Sequence, residues 1–374
     1  MLQDPRVNKV AQQLVHHSVK VQAGDHILIR FTIDSKPLVR ALITEIYALG
    51  AYPHTLMYDD EVKRYLLEGV SPKQAEADLT WQMKLYEQMD ASILIIGENN
   101  DSEFAQIEAQ RFSEYSKIMR PASEYVVKNL RWVLLNWPTY AAAQKAGMSL
   151  EAYADYVFAV SSVDYQQMGK AMSALKTLME ATNQVHITAP GTDLTFSIQN
   201  IPAIPCAGEC NIPDGEVFTA PIKTSVQGTI RYNTPCPYRG KVYHDVTFTF
   251  KDGKIVEATA DDSEGLNHIL DTDEGARYIG EFALGVNPLI TKPMGDILFD
   301  EKITGSFHFT PGAAYEDEAD NGNRSSVHWD LVLIQTPEYG GGNIYFDGRL
   351  IRENGRFVLP ELEALNPENL LHTT

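Results

Sequence analysis

Cysteine is scarce in this chain of 374 residues, and the three present, Cys206, Cys210 and Cys236, are an odd number. A sparse, odd set argues against a disulfide framework and fits reduced thiols. Cys206 and Cys210 have no matching downstream pair, and Cys236 stands alone before a proline, which argues against a structural zinc knot. Basic residues are the second shortage: 31 Lys and Arg stand against 50 Asp and Glu, a net charge of -19. That balance argues against a long contact with nucleic acid or an anionic membrane, and it tolerates cationic ligands. Long apolar runs are missing as well. The most apolar stretch, Ala91 to Gly97, is far too short to span a bilayer, and Met1-Leu2-Gln3-Asp4-Pro5-Arg6 lacks the basic flank and apolar core of a secretory leader. The expectation is a cytoplasmic protein. No Gly-x-Gly-x-x-Gly follows the first strand and no Gly-Lys-Ser/Thr loop occurs, while the late Gly340-Gly341-Gly342 run reads as a turn.

What is present is a globular composition, 44% hydrophobic and 22% charged, in a chain long enough for two domains. After an amphipathic helix over Val7 to Lys20, Asp25 to Phe31 reads as a buried strand. Ser35 then caps a helix whose Leu38, Val39, Leu42, Ile43, Ile46 and Tyr47 recur at helical spacing, and a second strand follows at His54 to Tyr58. Strand, helix and strand at this spacing make a parallel, right-handed crossover. The pattern continues through a helix at Pro72 to Met89, a strand at Ala91 to Gly97, a helix at Glu103 to Met119 and a strand at Arg131 to Trp137. Helices at Ser149 to Ser161 and Tyr165 to Ala181 lead to a change of texture near His186, beyond which strands dominate, and the domain boundary is expected between Met179 and Gln184. The expected class is α/β: an N-terminal open α/β domain with a mostly parallel sheet over 1–182, and a strand-rich α+β catalytic domain over 183–374.

Chemistry-bearing residues gather in the second part. In Ser325 to Leu333, side-chain alternation sends Val327, Trp329, Leu331 and Leu333 to one face and Ser326, His328 and Asp330 to the other. The run Gly305-Ser306-Phe307-His308-Phe309-Thr310 repeats the arrangement, with two phenylalanines on one face and His308 between hydroxyl residues on the other. Glu216 and Glu281 each precede apolar residues. Singly, these residues read as a salt-bridged surface histidine or an exposed glutamate. Together, three carboxylates and two imidazoles are the ligand mix of a divalent metal site, where two ions would neutralise the acids and acidify a bound water. Two other readings use the same residues. His308, His328 and Asp330 could form the facial triad of a mononuclear iron ring-cleaving dioxygenase, which would leave Glu216 and Glu281 without a role. Ser325 or Ser326 with His328 and Asp330 could form a hydrolytic triad, although no Gly-x-Ser-x-Gly elbow is present.

At these residues the chain resembles the metallo-aminopeptidases typified by aminopeptidase T, aminopeptidase S and PepS. The resemblance runs from Gly24-Asp25-His26-Ile27-Leu28-Ile29 through Gly191-Thr192-Asp193-Leu194 to Asp347-Gly348. It is most specific around Glu216, Glu281, Asp300-Glu301-Lys302, the His308 to Tyr315 run and Ser325-x-x-His328-x-Asp330. It implies an exopeptidase acting on peptides or amino-acid amides, a homodimer, and two divalent ions (zinc, cobalt, magnesium or manganese). Glu216, Glu281, His308, His328 and Asp330 are the implied metal ligands, with Glu281 also catalytic. Tyr315 is the implied active-site tyrosine, and Glu301 is a ligand or a salt-bridge partner of Lys302.

Overall fold

The computed structural model describes residues 4–371. It divides into two compact units, one running up to Ser162 and including Gly208–Pro213, the other comprising Val163–Ala207 and the chain from Asp214 onward. Among the described residues, the first unit holds a five-stranded parallel sheet in the order Tyr52–Met57, His26–Phe31, Ala91–Ile96, Arg131–Asn136 and Asn211–Ile212. The crossover helix Lys36–Ala48 buries Leu38, Val39, Leu42 and Ile46, the stripe expected from their spacing. The last strand is contributed by a short return of the chain that sequence periodicity does not reveal.

Other elements of this unit differ from expectation, among them an additional helix at Tyr140–Lys145. Asp60–Gly69 is a helix, capped by the Asp59 side chain accepting from Val62 N. The helix expected over Glu103 to Met119 instead spans Ala109–Asn129 and continues through Pro121. Proline there removes one backbone donor, but Met119, Ala122 and Val126 pack into a cluster with Tyr86 and Leu28, and that burial outweighs the lost bond.

The helix Tyr165–Ala181 belongs to the second unit, with the textural change at its C-terminal end. Its buried Tyr165, Met168, Met172, Leu175 and Met179 pack toward Pro360–Leu365 and the strands Ile204–Cys206 and Glu216–Thr219. Two antiparallel sheets dominate this unit: one of eight strands, and one of five in the order Val332–Ile334, Ser306–Pro311, Ile279–Gly285, Glu216–Thr219, Ile204–Cys206. The sheets meet through aromatic rings. Phe196 of the larger sheet lies 4.9 Å from Phe282 and 5.0 Å from Phe309, centroid to centroid, and Phe250 lies 5.9 Å from Phe309. With Phe282, Leu284, Phe307 and Phe309 committed to that core, the alternation of the strands turns Glu281, Ala283, His308 and Thr310 to the opposite face.

Candidate metal centre

The register of the five-stranded sheet assembles the site. His308 pairs with Ala283 on one side and Val332 on the other, Glu281 pairs with Thr310, and Glu216 pairs with Gly285 and Cys206. The regular strand begins only at Val332, but an isolated bridge between Gly312 and His328 holds the preceding residues in the same register. That register sets Asp330 beside Thr310, whose hydroxyl donates to Asp330 Oδ1 at 2.7 Å. Val327, Trp329 and Leu331 are buried and alternate with His328 and Asp330. Gly312 has φ +112°, and a Cβ there would lie 2.0 Å from the Val327 carbonyl oxygen, so only glycine lets these two segments close together.

His308 Nε2 lies 3.1 Å from Glu281 Oε1 and 3.4 Å from Glu216 Oε2. His328 Nε2 lies 3.3 Å from Glu281 Oε2 and 3.3 Å from Asp330 Oδ1. The His328 Nδ1–H donates to the Ala313 carbonyl at 2.8 Å, which turns Nε2 toward the carboxylates. Among the described residues, ligand atoms close enough to hold an ion occur in four overlapping groups: Glu216 with Glu281 and His308; Glu281 with His328 and Asp330; Glu301 with His308 and Asp330; Cys206 with Asp214 and Glu216. Glu281 is the member common to the first two. Tyr315 stands at the rim, 47% exposed, its ring 5.2 Å from that of His328 and 5.2 Å from that of Phe218.

Five carboxylates, those of Asp214, Glu216, Glu281, Glu301 and Asp330, gather around Lys302 and two imidazoles. Lys302 is fully buried, its ammonium 2.6 Å from Glu216 Oε1, 3.8 Å from Asp214 Oδ1 and paired with Glu301. The charges act on one another as electrostatics requires. Burial alone would lower the His308 pKa, but Glu216 and Glu281 raise it to about 10. His328 is likewise raised well above its usual range against its burial, chiefly by Asp330. Burial raises Glu281 and Asp330, yet the two histidines bring both carboxyls below their usual values. Glu301 is pushed up to about 8, first by burial and then by Glu216 and Asp330, although Lys302 pulls the other way. The negative charge of Glu281 foremost, with those of Asp330, Glu301 and Glu216, holds Tyr315 as a neutral phenol. Glu216 Oε2 and His308 Nδ1 are buried without a hydrogen-bond partner. A buried carboxylate oxygen facing an imidazole nitrogen, in a cluster short of positive charge, fits a divalent cation.

Sequence reasoning missed Asp214 and treated Cys206 as an idle thiol. The signal for Asp214 is its position two residues before Glu216, whereas Cys206 enters only through its strand register with Glu216. Ser325 and Ser326 do not address His328: their hydroxyls donate to Asp273 at 2.7 and 2.9 Å, so the serine-triad reading fails on geometry. A cleft of about 800 Å³, lined by residues including Thr336, Glu338, Asn354, Arg356 and Glu363, contains none of the residues of this cluster.

The sequence pattern of the thermophilic metalloproteases (M29) matches residues 3–357. Aminopeptidase 2 of Geobacillus stearothermophilus is 26% identical over 92% of this chain and 94% of its own length. PepS of Streptococcus thermophilus and aminopeptidase T of Thermus aquaticus are each 26% identical, covering 94% of this chain and 98% of their own. In fold, the chain superposes on wild-type AmpT from Thermus thermophilus with a TM-score of 0.80 at 20% identity, over 95% of this chain and 99% of that one. That likeness agrees with a parallel sheet with helices followed by antiparallel, strand-rich sheets. With a family match across nearly its whole length and carboxylate and imidazole groups able to hold an ion, the chain belongs to the M29 thermophilic metalloproteases and is a metal-dependent aminopeptidase.

Proposed function

We propose that the centre is dinuclear, with Glu216, Glu281 and His308 holding one divalent ion, Glu281, His328 and Asp330 the other, and Glu281 shared between them. The observation that carries this reading is the pair of three-residue ligand groups with Glu281 in common. Bound divalent ions supply Lewis acidity, lowering the pKa of a coordinated water and polarising a carbonyl. The chain's own residues do the rest. His328 is oriented by the Ala313 carbonyl and Asp330 by the Thr310 hydroxyl, so their ligand atoms are aimed before any ion arrives. Tyr315, held protonated at the rim, donates a hydrogen bond to the oxygen that becomes negative as water adds to the scissile carbonyl of a peptide or amino-acid amide. Glu281 stays ionised between the two imidazoles, one oxygen toward each, which suits it to be shared.

The strand-rich domain over 183–374 is the catalytic one, zinc, cobalt, magnesium and manganese are the ions to test, and the working form is a cytoplasmic homodimer, a reading that rests on family likeness. The mononuclear oxygenase alternative is not favoured: Glu281 stands within 3.3 Å of both histidines, a position a His308, His328 and Asp330 triad does not use. Metal analysis of purified protein, combined with assay on a panel of amino-acid amides, dipeptides and N-acetylated peptides, tests the proposal. Two ions per chain and cleavage confined to free N-termini are expected; one ion per chain, or turnover of the acetylated peptide, overturns it.

A further inference from the structure

Lys302 is an unusual occupant of a cluster built to hold cations. Across three neighbouring strands, Cys206, Glu216 and Gly285 stand in one register row, with Glu216 in the middle. The absence of a side chain at Gly285 admits another segment: a Cβ there would lie 2.3 Å from the Ile303 carbonyl oxygen and 3.0 Å from the Lys302 carbonyl carbon. The Lys302 backbone is fixed in that position by its carbonyl, which accepts from Asn287 N at 3.0 Å, while Asn287 Nδ2 donates to the Asp214 carbonyl at 2.7 Å. From there the side chain delivers its ammonium, fully buried, to Glu216 Oε1 at 2.6 Å and Asp214 Oδ1 at 3.8 Å. Cys206, Asp214 and Glu216 are themselves one of the groups with ligand atoms close enough to share an ion.

We propose that Lys302 is a built-in cation that fills a third metal-capable position, bounded by Cys206, Asp214 and Glu216, and so limits the centre to two ions. The inference rests on the reading of Glu216 as a ligand of the dinuclear centre. Lys302 is a positioning residue: by engaging Oε1 of Glu216 it leaves Oε2, which has no hydrogen-bond partner and lies 3.4 Å from His308 Nε2, as the oxygen offered to the ion shared with His308. It also keeps the Cys206 sulfur from becoming a ligand. A compact ammonium can be held by three acidic groups, but unlike a metal ion it cannot be displaced or exchanged. With it removed, Asp214 and Glu216 would lose its charge beside the Cys206 thiol, and a thiolate joined to two carboxylates is a donor set that a soft divalent ion accepts.

The test uses full-length protein, stripped of metal and titrated with cadmium, a soft ion whose bond to a thiolate produces an ultraviolet charge-transfer band. Bound ions are counted by native mass spectrometry. Wild type is expected to take up two ions without that band, Lys302→Ala to take up three with it, and Lys302→Arg, which restores the charge, to return to two. In Lys302→Ala combined with Cys206→Ser the band should vanish. Should Lys302→Ala not fold without metal, refolding in cadmium is expected to rescue it, with the same count and band. A Lys302→Ala chain that folds but shows no thiolate-bound third ion, one that cadmium does not rescue, or a wild type that already shows the band overturns the inference. A wild type that binds no metal overturns the dinuclear reading instead, whatever the variant does.

Discussion

The two faces of the five-stranded sheet are almost equally buried and chemically opposite. On one, Phe282, Leu284, Phe307 and Phe309 are fully buried, with Phe282 and Phe309 against aromatic rings of the larger sheet. On the other, Glu216, Glu281 and His308 are between 1% and 5% exposed, and Lys302 is fully buried. Depth therefore does not mark the functional face. What marks it is unbalanced charge: a buried aromatic face is complete in itself, whereas a buried acidic face needs cations or protons. The aromatic face holds the strands in register, and the register brings distant acids into one cluster.

The sharpest way to break the comparison is Glu281→Ala, which removes the residue common to both ligand groups. Turnover should fall by at least about a thousand-fold, because metal assistance is worth several kcal/mol and each 1.4 kcal/mol is tenfold. Bound metal, counted by mass spectrometry, should fall with it; an intact metal count would remove Glu281 from the shared position. Next in size is Tyr315→Phe. Losing one donor to a developing oxyanion costs roughly a hundred- to a thousand-fold in turnover, with metal content and substrate affinity little changed. Turnover equal to wild type would take Tyr315 out of the site.

A smaller effect is expected for Thr310→Val, which keeps the shape but deletes the hydrogen bond to Asp330. Loss of such a supporting contact typically lowers metal affinity by about ten- to a hundred-fold. Competition with a chromophoric chelator measures it, and excess metal should restore activity. On the aromatic face, Phe309→Leu should cost on the order of 1 kcal/mol in denaturant unfolding and leave turnover per folded molecule unchanged. Equal damage to turnover would mean that the two faces are not separable.

The polar face also predicts a pH dependence that the aromatic face lacks. His308 has a folded pKa of about 10, above its ordinary 6.5, because Glu216 and Glu281 favour its charged form. A raised folded value means that the stabilisation is complete below about pH 6.5 and is lost as pH climbs toward 10. Metal-free protein should therefore show a melting temperature that declines across that window. Metal binding at neutral pH should release protons, since the imidazole must be neutral to ligate. Calorimetric titration in buffers of different ionisation enthalpy measures the release, and a flat profile in both experiments would show that His308 is not held charged.

Much of the site was legible locally. Alternation of side chains along Gly305 to Thr310 and Ser325 to Leu333 sorts the phenylalanines and tryptophan from the histidines and Asp330 without any knowledge of partners. The helix boundaries were less legible where burial overrides propensity, as at Pro121, whose helix is held by Met119, Ala122 and Val126 in the core.

By itself, the sequence determined which residues point together within each strand and which residue types could hold a cation, because side-chain period is a property of neighbouring residues. Only the tertiary structure decided that Glu281 lies between His308 and His328, that Asn211–Ile212 completes the first sheet, and that Lys302 reaches Glu216 past Gly285. Register between strands far apart in sequence carries no local periodic signature. It is settled by which apolar faces pack and by where a missing side chain lets two backbones meet.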